Sequence, residues 1–362
     1  MFRPAKDLNA PLTESLVISI DAMGGDHGPS VVIPALAQAL PALPGDVRFL
    51  LHGDQTALEA ELARRAPLAA RSDVRHAERV VAMDEKPAQA LRRGKGTSMW
   101  NAVESLREGA AVAAMSAGNT GALMAMSKLI LRMCAELDRP ALVASMPTPR
   151  GFTTFLDVSA NVDCDAERLI EFAVMGEAFH RAAHGVPRPT VGLLNVGSEE
   201  MKGHEEVREA NRLLREGGYD LNYQGFVEGD DLTGGAVDVV VTDGFTGNVA
   251  LKAMEGAARF ITNELRAALT GDLRSTMGAA LARPGLRRFR DRLSPPPAAP
   301  LLGLKGMVLK CHGGASVSEY AHAVRLAVEL ARSDFAGEIE RHMRRRPSAV
   351  AAPGVSAAEG GF

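Results

Sequence analysis

Four loops in this chain gather the residue types that hold a small anion. They are Asp21-Ala22-Met23-Gly24-Gly25-Asp26-His27-Gly28, Ser116-Ala117-Gly118-Asn119-Thr120-Gly121, Asn195-Val196-Gly197-Ser198-Glu199-Glu200 and Asp243-Gly244-Phe245-Thr246-Gly247-Asn248. Each ends an apolar run, and in three of the four a helical pattern follows at once. Glycine lets backbone amides come close to a ligand, and a helix start offers free N–H groups and the positive end of its dipole. Phosphate fits that chemistry best. Two of the loops share the pattern Gly-x-Thr-Gly, in which a threonine hydroxyl and successive amides can wrap one tetrahedral anion. The alternative is a pair of tight turns where Gly and Thr only cap helices. The repetition, with Asp21 and Asp243 at strand ends, favours the functional reading.

Other polar residues surround these loops. Lys202 could supply the positive charge a phosphate dianion needs or could be a solvated lysine at a helix start, and local sequence leaves both open. Lys305 and Lys310 flank Met307–Leu309 just before His312-Gly313-Gly314, a further cluster able to close the same cleft. His27 and His312 sit in glycine loops, as working histidines or as turn residues. Neither nucleotide fingerprint is present. Gly94-Lys95-Gly96-Thr97 lacks a third glycine and a preceding strand, and there is no G-x-x-x-x-G-K-[ST].

The elements that position these loops alternate. Strand patterns cover Leu16–Ile20, Val47–Leu51, Val112–Met115, Thr190–Leu194, Val237–Thr242 and Met307–Lys310. Helical patterns cover Ser30–Leu40, Ala57–Arg65, Met99–Arg107, Ala122–Met133, Ala166–Ala183, Glu205–Glu216 and Val249–Leu269. Such alternation predicts βαβ units in a mostly parallel sheet. Ala141–Met146 and Thr153–Val158 break it as an antiparallel hairpin around Pro147-Thr148-Pro149-Arg150-Gly151. It supplies a sheet edge or dimer contact, or is a plain surface hairpin.

Composition sets the outer bounds. The chain has 362 residues, 46% hydrophobic and 23% charged, with a formal net charge of −3, ordinary for a soluble α/β protein and no reason to expect nucleic acid. No apolar stretch approaches a spanning helix. Cys134, Cys164 and Cys311 are far apart and read as reduced thiols of a cytosolic protein. No His/Cys spacing suggests a metal site. Residues 1–14 read as an N-terminal extension without a secretory core, 15–338 as the α/β domain, and 339–362 as a disordered tail.

Within the domain, residues 268–294 form a basic amphipathic segment. Leu269, Leu273, Met277 and Leu281 recur every four residues, Pro284-Gly285 interrupts, and Leu286, Phe289 and Leu293 continue among Arg283, Arg287, Arg288, Arg290 and Arg292. It can lie on an anionic bilayer or pack as an ordinary helix, and pattern alone favours packing. Ser294-Pro295-Pro296-Pro297 should end it sharply.

Five motifs carry a resemblance. Asp21-Ala22-Met23-Gly24-Gly25-Asp26, Ser116-Ala117-Gly118-Asn119-Thr120-Gly121-Ala122-Leu123, Ala160-Asn161-Val162-Asp163-Cys164, Asp243-Gly244-Phe245-Thr246-Gly247-Asn248 and Pro300-Leu301-Leu302-Gly303-Leu304-Lys305-Gly306 occur in that order. From about Val17 to Ala331 the chain closely resembles the bacterial phosphate acyltransferases of phospholipid synthesis, the PlsX family. Departures are few: Ser159 for a usual glycine, Ala298-Ala299 for Gly-Gly or Gly-Ala, Cys311 for alanine, and Gly314-Ala315-Ser316 for a more polar Ser-Ser-Asp.

The resemblance implies a three-layer α/β/α fold like that of phosphotransacetylases and isocitrate/isopropylmalate dehydrogenases, with a cleft and a homodimer. It implies transfer of a fatty acyl group from acyl-acyl carrier protein to inorganic phosphate, without cofactor or metal. The acyl phosphate then passes to a membrane glycerol-3-phosphate acyltransferase. It also implies a cytoplasmic protein bound peripherally to the inner face of the cell membrane through Leu286, Phe289, Leu293, Arg287 and Arg288, which reverses the preference from pattern alone.

Phosphate is already anionic and thiolate leaves well, so direct attack is expected, with no acyl-enzyme on Cys164 or Cys311. Phosphate is expected on Ser116, Gly118, Asn119, Thr120 and Gly121, with Lys202 neutralising charge. Thr246, Gly247 and Asn248 face the thioester carbonyl or share the phosphate, Asp21 and Asp243 orient their neighbours, and His27 and Lys305 complete the binding set. Arg92 and Arg93 are candidates for docking the acidic carrier protein. Competing readings are a phosphotransacetylase-type enzyme using acyl-CoA, a metal- and NAD-dependent decarboxylating dehydrogenase, and an inactive scaffold. The missing aspartate cluster argues against the dehydrogenase, and the intact glycine loops argue against the scaffold.

Overall fold

The computed structural model describes residues 15–134, 137, 139–293 and 298–333. The expected extension 1–14, the Ser294–Pro297 stop and the tail 339–362 lie outside the described residues. Among the described residues, eleven strands form one sheet: β1 (Leu16–Asp21), β2 (Val47–Gly53), β3 (Ser72–His76), β4 (Ala113–Ser116), β5 (Ala141–Thr148), β6 (Gly151–Leu156), β7 (Thr190–Leu194), β8 (Asn222–Val227), β9 (Val239–Val241), β10 (Ala298–Leu302) and β11 (Met307–Cys311). Their order is β3-β2-β1-β4-β11-β10-β5-β6-β9-β7-β8.

The helices are α1 (Pro29–Ala39), α2 (Gln55–Ala63), α3 (Ala66–Ala69), α4 (Pro87–Arg93), α5 (Ser98–Arg107), α6 (Thr120–Leu131), α7 (Ala166–His184), α8 (Glu205–Glu216), α9 (Asp231–Gly234), α10 (Gly244–Thr270), α11 (Leu273–Leu293) and α12 (Val317–Arg332).

Two parallel halves make up the sheet. β3, β2, β1, β4 and β11 run one way, and β6, β9, β7 and β8 run the other, with β10 and β5 antiparallel between them. The expected hairpin is real, but it is neither an edge nor a surface excursion. β5 and β6 are internal strands at the place where strand direction reverses, a joint that two opposed parallel halves require. The first half comes from residues 16–131 together with 298–332, and the second from the contiguous stretch between.

Strand residues alternate between two cores, as a pleated strand buried on both faces must. Ile18, Ile20, Met115, Leu309 and Leu193 face a layer with α1, α12, α7 and α8. Leu142, Ala144, Phe155, Val240 and Val308 face the opposite layer with α5, α6 and α10. Each buried Leu, Ile or Val contributes about 1.5–3 kcal/mol.

α10 begins five residues earlier than the pattern suggested and absorbs the second Gly-x-Thr-Gly loop into its first turn. α11 runs unbroken through Pro284, so the expected interruption at Pro284-Gly285 is corrected. A proline removes one helical N–H, and the turns on both sides keep this helix continuous. At about 1.5 Å per residue, α10 is about 40 Å long and α11 about 31 Å. Within the chain the α11 stripe is not packed on the body: Leu273, Met277 and Leu281 are exposed, Leu281 to 87%, and Phe289 to 41%.

Candidate active site

Pleat and register build the centre of the site. Ser19 and Asp21, Ala114 and Ser116, and Val308 and Lys310 point to the α5/α6/α10 layer, opposite Ile20, Met115 and Leu309. Lys310 is the register partner of Ser116, and Ile20 of Met115. Asp21, Ser116 and Lys310 therefore form one row across three adjacent strands, about 4.8 Å apart. All three are at least nine-tenths buried.

The row is hydrogen-bonded. Ser116 Oγ donates to Asp21 Oδ2 at 2.6 Å and accepts from the Gly118 amide at 3.0 Å. Asp21 Oδ1 has no partner within bonding distance. Burial pushes the Asp21 carboxyl above its usual range, against the pull of Ser116, Ser98 and the Met23 and Gly24 amides. Lys310 Nζ donates to Ala117 O at 3.4 Å and to Cys311 O. Burial lowers its pKa, while Asp26 and Asp21 draw it back up.

Three loops of the first half lock around this row. A Cβ on Gly24 would meet the Gly118 amide at 2.9 Å, so glycine there allows the two loops to touch. The Asp26 amide donates to Gly313 O at 2.9 Å. Asn119 caps α6, its Oδ1 accepting from Ala122, and its Nδ2 donates to Met83 O and Glu85 O at 2.8 and 2.9 Å. Both amide hydrogens of Asn119 are thus committed to holding the 83–85 segment over the loop. Thr120 and Gly121 open α6, with Gly121 against Pro87.

The second half contributes its own centre, the buried Asp157. Its Oδ1 accepts from the Leu142, Ser159 and Ala160 amides, and its Oδ2 from the Asn161 amide and side chain, at 2.6–3.2 Å. Burial raises its pKa, and these donors oppose that rise. The loop so formed seats α10: the Gly244 amide donates to Asn161 O at 2.6 Å, and a Cβ on Gly247 would strike Asp157 O. Asp243 caps the helix by accepting from the Thr246 amide at 2.8 Å. Asn248, one turn in, is half-buried.

A cavity of about 140 Å³ joins the two halves. Leu142, Ala144, Val158, Leu251 and Ala299 give it an apolar floor. Thr120, Asn248, Lys252, Glu255, Lys310 and His312 give it a polar rim. Lys252 is paired with Glu255 at 2.7 Å. Such a site can hold an anion beside an apolar chain.

Not every expected residue lies there. Lys202 is half-exposed and paired with Glu199 at 2.8 Å, a contact that raises its pKa. Asn195 fixes that loop by donating to Gly197 O and Lys202 O. Lys305 is exposed in the turn before β11, at the opposite end of that strand from Lys310. His27 is exposed and lines a separate small crevice with Gly24, Gly28 and His312. Leu286 and Leu293 are half-buried on α11, and Arg287, Arg288 and Phe289 are exposed. Burial pushes the Cys164 and Cys311 thiols up to about 12, which keeps both protonated and poorly nucleophilic.

Sequence reasoning passed over Lys252 and Asp157, and placed Lys310 only within a cluster able to close the cleft. For Lys310 the signal was its parity with Val308 in an otherwise apolar strand. For Asp157 it was an acid ending an apolar run, followed by small residues and Asn161.

The fatty acid synthesis protein family model matches residues 16–338. A protein called phosphate acyltransferase from Phenylobacterium zucineum (strain HLK1) is 74% identical over 349 residues, covering 96% of this chain and 99% of the relative. Another of that name from Caulobacter vibrioides (strain ATCC 19089 / CIP 103742 / CB 15) is 62% identical, covering 94% and 95%. Among solved structures, a phosphotransacetylase from Streptococcus pyogenes superposes with a TM-score of 0.59 at 16% identity, covering 88% of this chain and 94% of that one. That likeness shows a shared fold.

Proposed function

Because the chain belongs to the fatty acid synthesis protein family, we propose that it is an acyltransferase that moves a fatty acyl group from acyl-acyl carrier protein to inorganic phosphate. A phosphate oxygen attacks the thioester carbonyl carbon, the C–O bond forms, and the C–S bond breaks. The phosphopantetheine thiolate leaves with the electron pair and takes a proton from solvent; the product is acyl phosphate.

The observation that carries this reading is the cavity itself. Its apolar floor suits the start of an acyl chain, and its cationic and amide rim suits phosphate and a developing oxyanion. Thr120 and the amides that open α6 receive phosphate from one side. Asn248, held by α10, faces the thioester carbonyl from the other. Asp21 and Asp243 orient: Asp21 fixes Ser116, and Asp243 caps α10. The committed hydrogen bonds of Ser116 and Asn119 give them the task of shaping the phosphate loop. Lys202, exposed and paired with Glu199, adds charge from the second half. Because phosphate is already anionic and a thiolate leaves well, attack is direct, with no acyl-enzyme on Cys164 or Cys311.

The same reading makes the chain a homodimer, located in the cytoplasm. It docks on anionic membrane through the exposed stripe of α11, where a membrane glycerol-3-phosphate acyltransferase takes the product. No helix among the described residues is long and apolar enough to cross a bilayer.

The test is thiol release from palmitoyl-acyl carrier protein with and without phosphate, with hydroxylamine trapping of acyl phosphate. Phosphate-dependent release with a trapped acyl group supports the assignment. Release from acetyl-CoA alone would replace it with a phosphotransacetylase, and no release from either donor would leave a scaffold.

A further inference from the structure

We propose that Lys310 is the fixed cation that anchors the attacking phosphate, from a position in the sheet itself rather than on a loop. The inference rests on the acyl-transfer reading above, and it identifies a residue that the glycine-loop chemistry alone does not reveal.

Three observations converge on it. Lys310 is the third member of the row with Asp21 and Ser116, and its register partner is Ser116, where the first Gly-x-Thr-Gly loop departs. Its ammonium has three N–H donors. Two go to the carbonyls of Ala117 and Cys311, which aim the group at the base of that loop and leave the third for a ligand. The side chain also lines the cavity, in company with Thr120, Asn248 and His312. A lysine is rarely buried without a partner carboxylate, and here both nitrogen contacts are neutral carbonyls. An incoming dianion supplies the missing charge.

The electrostatic surroundings are mixed. Asp21 and Asp26 lie on the first loop, Lys252 and Glu255 on α10, and His312 and Cys311 next along the chain. Asp21 and Asp26 favour the ammonium and Lys252 opposes it, while burial disfavours it overall. Empty, the site loses the proton more easily than a surface lysine; filled with phosphate, it keeps it. Phosphate capture therefore weakens on the alkaline side in the native enzyme, and arginine at this position, which stays charged, moves that weakening to higher pH.

The test uses the full chain with Lys310→Met and Lys310→Arg. The readouts are the phosphate KM and kcat for thiol release, and the shift in thermal midpoint on adding inorganic phosphate. Loss of one charge-assisted hydrogen bond predicts a phosphate KM about 10- to 100-fold higher in Lys310→Met. It also predicts loss of the phosphate-induced thermal shift. Lys310→Arg should retain the thermal shift and displace the alkaline limb of kcat/KM for phosphate upward. A Lys310→Met enzyme with KM within twofold of native and an intact thermal shift overturns the proposal. If Lys310→Met does not fold, an unmoved alkaline limb in Lys310→Arg overturns it instead. Should the native chain release no thiol, the acyl-transfer reading fails, and the thermal shift still decides whether Lys310 binds phosphate.

Discussion

Asp157→Asn should destabilise the protein by an amount that its hydrogen bonds fix. The carboxylate accepts five N–H donors and is fully buried. An asparagine retains one accepting oxygen, and its best orientation keeps that oxygen on the Leu142, Ser159 and Ala160 amides. Its NH₂ group then faces the Asn161 amide and Nδ2, two donors with nothing to accept them. Each orphaned buried donor costs about 1–3 kcal/mol, so the pair costs about 4 kcal/mol. With about 2.1 cal/mol/K of unfolding entropy per residue, a chain of 362 residues should lose about 5 °C in its thermal midpoint. Scanning calorimetry measures this directly. Asn161→Ala provides the scale: it removes the side-chain bonds to Pro140 O and Asp157 but leaves every backbone donor satisfied, for about half the loss. Turnover should fall in Asp157→Asn as well, because the loop seats the first turn of α10 and hence Asn248. A midpoint within 1 °C of native, or an Asn161→Ala loss equal to that of Asp157→Asn, would refute the assignment of this carboxylate as the organiser of the second half.

Further outcomes follow from the same geometry. Asn248→Ala should lower kcat by about 10²–10³-fold, the usual effect of removing an oxyanion donor, with a smaller change in phosphate KM; near-native kcat would remove Asn248 from the carbonyl. Leu281→Asp with Phe289→Asp alters exposed side chains, so it should leave turnover in solution intact and abolish sedimentation with anionic liposomes; unchanged sedimentation would return α11 to a packing role. His52 is buried between Ser19 and Ser105 and its pKa is lowered by burial to about 4, whereas the unfolded chain takes up that proton near 6.5. Its contribution to stability is complete above pH 6.5 and is lost as pH falls from there through about 4, at most about 3 kcal/mol. In His52→Asn the acid limb of thermal midpoint against pH should flatten, and an unchanged slope would show that other groups carry it, such as His184, whose pKa burial also lowers to about 4.

Much of the architecture was legible because its strands are buried on both faces. β1, β2, β4, β7 and β11 read as apolar runs and lie within a residue or two of expectation. β3 and β8 escaped notice because they are the two outer strands, where polar residues such as Asp73, Arg75 and Gln224 face solvent. β10 was hidden by Ala298-Ala299-Pro300, a composition that reads as linker and becomes strand only through pairing with β11. The glycine loops were visible as candidates, yet their hydrogen bonds were not. Ser116 and Asn119 have the right types for phosphate, and their polar atoms are taken up by Asp21, Gly118, Met83 and Glu85. Lys310 was legible as part of a cluster able to close the cleft, but its burial beside Ser116 comes from β11 pairing with β4, a contact between distant segments that leaves no local trace.

The discontinuous make-up of the first half carries a consequence for biosynthesis. The second half is one uninterrupted stretch, and among its strand pairings only that of β5 with β10 waits for residues beyond it. The first half must wait for β11, which inserts beside β4 from nearly two hundred residues further along. Until that strand arrives, the edge of β4 and the apolar faces meant for α12 stay open, which is the condition in which nascent chains aggregate. The lysine in that last strand is therefore among the final parts of the site to be installed, so the row it shares with Asp21 and Ser116 cannot form on a chain whose sheet is unfinished.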